Sequence, residues 1–133
     1  MDIGGKVVEA ILDPGSTHTL LPWSLLPPGT PVRKLTGVTS QAANNTVIVM
    51  DGEATVKFQI GPTSHSFPVW ITDHVDQFLI GLDWFLTSKV VWDFNDRENI
   101  VIAGVPVPYA IRQISESTRR VYCARTIHIP ANT

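Results

Sequence analysis

The chain has 133 residues, 44% of them hydrophobic, and a formal net charge of −2, which suits one small domain and leaves too little chain for two. Without a long basic stretch, it gives no reason to expect nucleic acid or an anionic membrane as the main partner. No apolar run approaches the ~18 residues of a membrane span, and the start lacks a signal peptide's regions, so we expect a soluble chain that is not independently secreted.

The first predicted element is an apolar run from Val7 to Leu12 that ends at Asp13-Pro14-Gly15-Ser16. The run predicts a buried strand, and the four residues predict a tight turn that presents one carboxylate. Pro and Gly are also what an ordinary type II turn needs, so the segment taken alone is better explained as a plain turn. Ser16 near His18 does not indicate a serine hydrolase, because the Gly-x-Ser-x-Gly elbow is missing.

Two further elements follow along the chain. Residues 36–45 are small and polar and lie between two strand-like runs, which predicts a hairpin loop. The next segment, 46–60, predicts a hairpin that turns at Asp51-Gly52. Its second strand should bury Ala54, Val56, Phe58 and Ile60 and expose Thr55, Lys57 and Gln59.

The second half of the chain continues this all-β pattern with one interruption. A strand around residues 67–71 contains Pro68, which we expect at a strand start, an edge or a bulge. The run Phe78–Leu86 then reads as a strand end, a glycine and a short helix, with Asp83 at the helix N-terminus. A strand over 90–94, a polar turn over 95–99 and a strand over 100–102 complete the pattern.

Residues 110–133 differ in character, with four arginines against the single acid Glu116 and no strong period before residue 126. They fit a connector to a further domain and a loose terminus equally well. Cys123 is the only cysteine, and the four histidines lack metal-ligand spacing, so we expect neither a disulfide within the chain nor a metal site.

Two of these motifs together resemble those of a known family. Leu12-Asp13-Pro14-Gly15-Ser16 and Leu79-Ile80-Gly81-Leu82-Asp83-Trp84 resemble the paired motifs of retropepsins, the aspartic proteases of retroviruses and long-terminal-repeat retrotransposons, and are nearest the Ty3/gypsy class. The resemblance spans roughly residues 3–109. It implies an all-β fold, a small closed barrel with one short helix after Gly81, formed by a protease domain over 1–109 and followed by a C-terminal extension or polyprotein connector over 110–133.

The resemblance also implies an activity and the residues that perform it. These are the catalytic Asp13, the active-site turn of Pro14, Gly15 and Ser16, the second motif of Leu79, Ile80 and Gly81, and flap candidates Gly37, Val38, Thr39 and Ser40. Ser16 is expected to hydrogen-bond the Asp13 carboxylate. Since this chemistry uses two carboxylates that share a proton and the chain has one Asp-x-Gly-Ser without an internal repeat, we expect a homodimer.

The implied enzyme needs no cofactor or metal and cleaves an extended peptide or polyprotein, in the cytoplasm or inside retroelement particles. Pro14 departs from the family, where Thr or Ser supplies a hydroxyl and an N–H to a network across the dimer axis; proline supplies neither. Two interpretations therefore stay open. One is a homodimeric aspartic endopeptidase, and the other is an inactive retropepsin-like module for dimerisation or peptide binding.

Overall fold

The computed structural model describes residues 6–41, 47–113 and 120–129, and within these ranges it consists of twelve strands, one short 3-10 helix and one α-helix. The 3-10 helix is Trp23–Leu25, and α1 is Leu82–Thr87. The strands are β1 Lys6–Leu12, β2 Leu20–Leu21, β3 Arg33–Lys34, β4 Thr39–Gln41, β5 Val47–Val49, β6 Gly52–Ile60, β7 Thr63–Ile71, β8 Phe78–Ile80, β9 Val90–Val91, β10 Asn99–Ile102, β11 Val105–Gln113 and β12 Arg120–Ile129.

Ten strands form one large sheet in the order β3-β6-β7-β2-β8-β1-β12-β11-β10-β9, while β4 and β5 pair only with each other. The all-β class and the short helix after Gly81 are confirmed. The closed barrel is wrong, because the sheet ends in β3 on one side and β9 on the other, and the additional pairing of β6 with β12 covers only two residue pairs.

The two longest paired strands, β6 and β7, follow the predicted alternation but not the predicted turn. Every second residue of β6 from Gly52 to Ile60 is buried, and the exposed positions are Thr55, Lys57 and Gln59. The partner of β6 is β7, however, and their two-residue turn is Gly61-Pro62. The hairpin at Asp51-Gly52 is therefore wrong, because β5 pairs with β4 and residue 51 carries the chain from the small sheet into the large one.

The residues of the large sheet and of α1 form one main hydrophobic core, which contains several aromatic side chains. The Phe58 ring meets Phe78 edge to face at 5.2 Å and lies 6.2 Å from Trp84, which is fully buried. Burial of each such side chain contributes about 1.5–3 kcal/mol. His65 lies between Phe58 and Trp84, and burial lowers the pKa of its imidazole.

The end of the chain takes part in the same sheet. Strand β11 runs through the predicted boundary at 109/110, and β12 pairs with both β1 and β11. A connector role for residues 110–133 stays a prediction. Among the helices of the described residues, none is long and apolar enough to cross a membrane, and the described side chains contain no group of three or more metal-ligating residues.

Candidate active site

Strand β1 delivers Asp13 to the turn beside the end of β8. The two strands are parallel, with Leu12 opposite Ile80, and the Asp13 N–H donates to the Ile80 carbonyl at 2.9 Å. The turn closes through the Ser16 N–H, which donates to the Asp13 carbonyl at 3.1 Å. Within it, the Gly15 N–H donates to Asp13 Oδ1 at 3.0 Å. One oxygen of the half-buried Asp13 carboxylate is therefore held by an N–H of its own turn, and the Asp13 backbone is held by Ile80 and Ser16.

The second motif is hydrogen-bonded directly onto this turn. The Leu82 N–H donates to the Ser16 carbonyl at 2.7 Å, and the Asp83 N–H donates to the Thr17 carbonyl at 3.3 Å. The structure thus brings Asp13–Ser16 together with Ile80 and Gly81. We call residues 13–19 and 80–84 the Asp13 frame.

Glycine is required in this frame for space and not for an unusual backbone angle. A Cβ at Gly81 would lie 2.8 Å from the Ser16 carbonyl oxygen and closer still to that of His18. A Cβ at Gly15 would lie 3.1 Å from Asp13 Oδ1. Since φ is not positive at either residue, the turn is not the type II turn that the Pro-Gly pair alone would suggest.

Ser16 is buried in the turn but does not make the expected bond. Its hydroxyl donates to the His18 carbonyl at 2.8 Å. A hydroxyl has one proton to donate, so in this arrangement Ser16 holds the chain after the turn in place and does not donate to Asp13.

The sequence did not indicate the contacts that Thr19 and Asp83 make with each other across the frame. Thr19 is 1% exposed, and its hydroxyl donates to Asp83 Oδ1 at 2.7 Å and accepts the Gly81 N–H at 3.0 Å. The Thr19 N–H donates to Asp83 Oδ2 at 3.2 Å. Asp83 does lie in the first turn of α1, where its Oδ1 accepts the Trp84 N–H at 2.7 Å. Its partner across the frame is 64 residues away, so no local pattern indicated it.

A row of polar and aromatic groups leads away from the frame. The His18 ring stacks on Trp70 at 3.6 Å with an interplanar angle of 14°. Trp70 Nε1 donates to Glu53 at 3.2 Å, and Glu53 pairs with Arg33 at 2.9 Å. The hydrogen bond from Arg33 holds the pKa of the Glu53 carboxyl below its usual range.

The flap candidates Gly37, Val38, Thr39 and Ser40 lie at or near the small β4–β5 sheet. Thr39 pairs with Val49 and Ser40 with Ile48, so β4 and β5 form an antiparallel pair, which we call the β4–β5 hairpin. A flap role for it stays a prediction. Gly37 has φ of +72°, an angle that favours glycine. Residues 42–46 and the side chain of Ser40 lie outside the described residues.

The base of this hairpin rests on a small cluster separate from the main core. Leu20 and Met50 are its buried centre, and Leu35, Val38, Trp70, Val75 and Leu79 pack against them. Beside the cluster, Trp23 Nε1 donates to Asp51 Oδ2 at 2.9 Å, at the edge of an open cleft. Leu79 of the second motif and Val38 of the flap candidates therefore share one cluster.

Several other aspartates have structural partners. Asp73 accepts the Trp23 N–H, and Asp93 accepts the Asn95 N–H. Asp96 accepts the N–H groups of Glu98 and Asn99, which lower the pKa of its carboxyl. These contacts agree with the turn and loop roles that the sequence indicates for them.

Comparison with known proteins adds one match. Residues 1–84 match a family whose description is aspartyl protease. The matched range contains the whole frame, from the Asp13 turn to Trp84. No curated protein matches the chain.

Proposed function

The chain belongs to the aspartyl protease family, and we propose that it is an aspartic endopeptidase that works as a homodimer. The observation that carries the proposal is the Asp13 turn, whose carboxylate accepts the Gly15 N–H while its backbone is bonded to Ile80. Such a frame fixes one carboxylate at the end of a strand. It leaves the second carboxylate to be supplied from outside the chain.

Two copies related by a twofold axis supply that second group. One Asp-x-Gly-Ser per chain means that each copy contributes one Asp13, and a twofold dimer is the commonest closed assembly. Two carboxylates a few ångströms apart share one proton, because both cannot be ionised at that separation.

The proposed reaction needs only this pair and one water. The ionised Asp13 takes a proton from water as the water oxygen bonds to the scissile carbonyl carbon, and the protonated Asp13 of the second copy donates to the carbonyl oxygen. The resulting gem-diol then collapses: the first Asp13 gives the proton that it took from water to the nitrogen as the C–N bond breaks, and one gem-diol hydroxyl returns its proton to the Asp13 of the second copy. No covalent intermediate forms.

The substrate in this proposal is an extended peptide that lies against the frame under the β4–β5 hairpin. A strand-like peptide satisfies its backbone groups by pairing with protein backbone, and a closing hairpin excludes water from the reacting groups. We propose a retroelement polyprotein as the natural substrate, processed in the cytoplasm or inside particles.

Pro14 favours a second candidate function, an inactive module that dimerises or binds peptides. Pro14 is exposed on the turn and has neither an N–H nor a hydroxyl. The cross-axis network that the family builds from this position is then weaker. The endopeptidase cleaves peptides by means of Asp13, whereas the inactive module binds without cleaving.

The experiment compares the purified chain with Asp13→Asn, Pro14→Thr and the control Asp76→Asn, which removes an exposed loop carboxylate. Cleavage of a peptide library at mildly acidic pH should be lost in Asp13→Asn and kept in Asp76→Asn. Equal cleavage by Asp13→Asn would end the proposal. A silent parent with an active Pro14→Thr variant would favour the inactive module.

A further inference from the structure

We propose that Asp83 is a positioning residue for Asp13 and acts through Thr19 and one peptide unit of the second motif. The inference deepens the proposed function and rests on it. Asp83 does not touch the substrate in this proposal. Its carboxylate sets the angle at which Asp13 is presented.

The contacts of Asp83 extend beyond its own helix. Within the first turn of α1, its Oδ1 accepts the N–H of the next residue, Trp84. The hydroxyl and the N–H of Thr19 occupy both carboxylate oxygens from the strand side. The side chain therefore ties α1 to the segment that returns from the Asp13 turn.

The path from Asp83 to Asp13 runs through a rigid unit. The Thr19 oxygen accepts the Gly81 N–H, and the Ile80 carbonyl accepts the Asp13 N–H. That N–H and that carbonyl belong to the same peptide bond, which is planar. If the Gly81 N–H shifts, this peptide plane tilts, and the Ile80 carbonyl that accepts the Asp13 N–H shifts with it.

Loss of the Thr19 hydroxyl releases this plane. Valine has nearly the shape of threonine but cannot accept the buried Gly81 N–H or donate to Asp83. A serine keeps both bonds. An asparagine at 83 keeps one acceptor oxygen and turns an N–H₂ toward one of the donors, so it should lie between the parent and Asp83→Ala.

The test measures kcat and KM for Thr19→Val, Thr19→Ser, Asp83→Asn and Asp83→Ala, above the concentration at which sedimentation shows full dimer. Thr19→Val should lower kcat by about 10- to 100-fold with KM within about threefold, because the reacting groups are misplaced while binding is kept. Thr19→Ser should restore kcat to within about threefold of the parent.

The matched control is Thr87→Val, which removes a hydroxyl bonded to the Asp83 carbonyl at 2.9 Å on the exposed side of α1. A parent-like kcat in Thr19→Val, or an equal loss in Thr87→Val, would overturn the inference.

Amide hydrogen exchange tests the same inference without activity. In Thr19→Val, the Asp13 and Leu82 amides should exchange about tenfold faster while the Val56 amide of β6 stays as in the parent. If the parent cleaves nothing, the proposed function fails, and this selective acceleration still supports the positioning role of Asp83. Unchanged Asp13 exchange contradicts that role whether or not the parent is active. If Thr19→Val does not fold, the comparison of Asp83→Asn with the parent decides the same point.

Discussion

The Asp13 frame and the β4–β5 hairpin are built in opposite ways. The frame joins two distant segments through bonds between buried groups, such as Thr19 with Gly81 and Asp83. In the part of the chain that the structure describes, β4 and β5 pair only with each other, and they contact the large sheet at their base, through Asp51, Met50 and their neighbours. A carboxylate that must be held to within a fraction of an ångström needs the first construction. In the proposed function, the hairpin admits and covers a peptide, which needs the second.

Replacement of a glycine in each region should give the largest contrast. Gly81→Ala pushes a methyl group into the backbone carbonyls of Ser16 and His18, neither of which can move aside. We expect a loss of about 3 kcal/mol or more in the free energy of unfolding, measured by urea denaturation. Gly37→Ala, where a Cβ meets nothing within 4 Å, should cost only about 1–2 kcal/mol for its positive φ. Equal losses in the two variants would contradict the contrast.

Acid should lower the stability of the protein through His65, which lies in the core beside the Asp13 frame. Burial lowers the pKa of His65, which packs against Trp84 of the frame. Above about pH 6.5 the imidazole is neutral in both states; as the pH falls toward the lowered native pKa, the unfolded chain binds the proton first, so stability falls. We expect the free energy of unfolding to fall over this window and to level off once the pH lies below the native pKa of His65.

The measurement is the midpoint of denaturation between pH 7.5 and 5. His65→Phe should remove the His65 part of this slope, whereas His74→Gln, at an exposed histidine, should keep it. A slope that is the same in His65→Phe and the parent would assign the effect to other groups.

The smallest effect on stability is expected at the base of the hairpin. Trp23→Phe removes the indole N–H that donates to Asp51 and keeps most of the apolar contact. Because Trp23 is 41% exposed, we expect a change of about 0.5 kcal/mol in the free energy of unfolding. The Leu35 and Met50 amides should nevertheless exchange faster, while the Asp13 amide does not. Asp51→Asn, which keeps an acceptor oxygen for the Trp23 indole N–H, is the control.

The parts of the fold that were predicted from the sequence are those with a local cause. Strand β6 was predicted because its alternation is a property of consecutive residues, and the site motifs because Asp13–Ser16 and Leu79–Gly81 are contiguous. The Asp51-Gly52 turn failed because turn chemistry does not say which strand a strand pairs with. The Thr19–Asp83 bond and the pairing of β12 with β1 join residues far apart in the chain. An acid two residues after Gly81 was the one visible sign of that bond, and it was explained by the helix alone.

The central claim, one Asp13 from each of two copies, is tested most directly by mixing. A fixed amount of parent is equilibrated with an equal amount of Asp13→Asn, well above the dimer dissociation constant, and cleavage is followed. Random pairing leaves about half of the parent activity, because half of the parent chains are then in dimers with one carboxylate. Undiminished cleavage in the mixture, with exchange of subunits verified, would contradict the account.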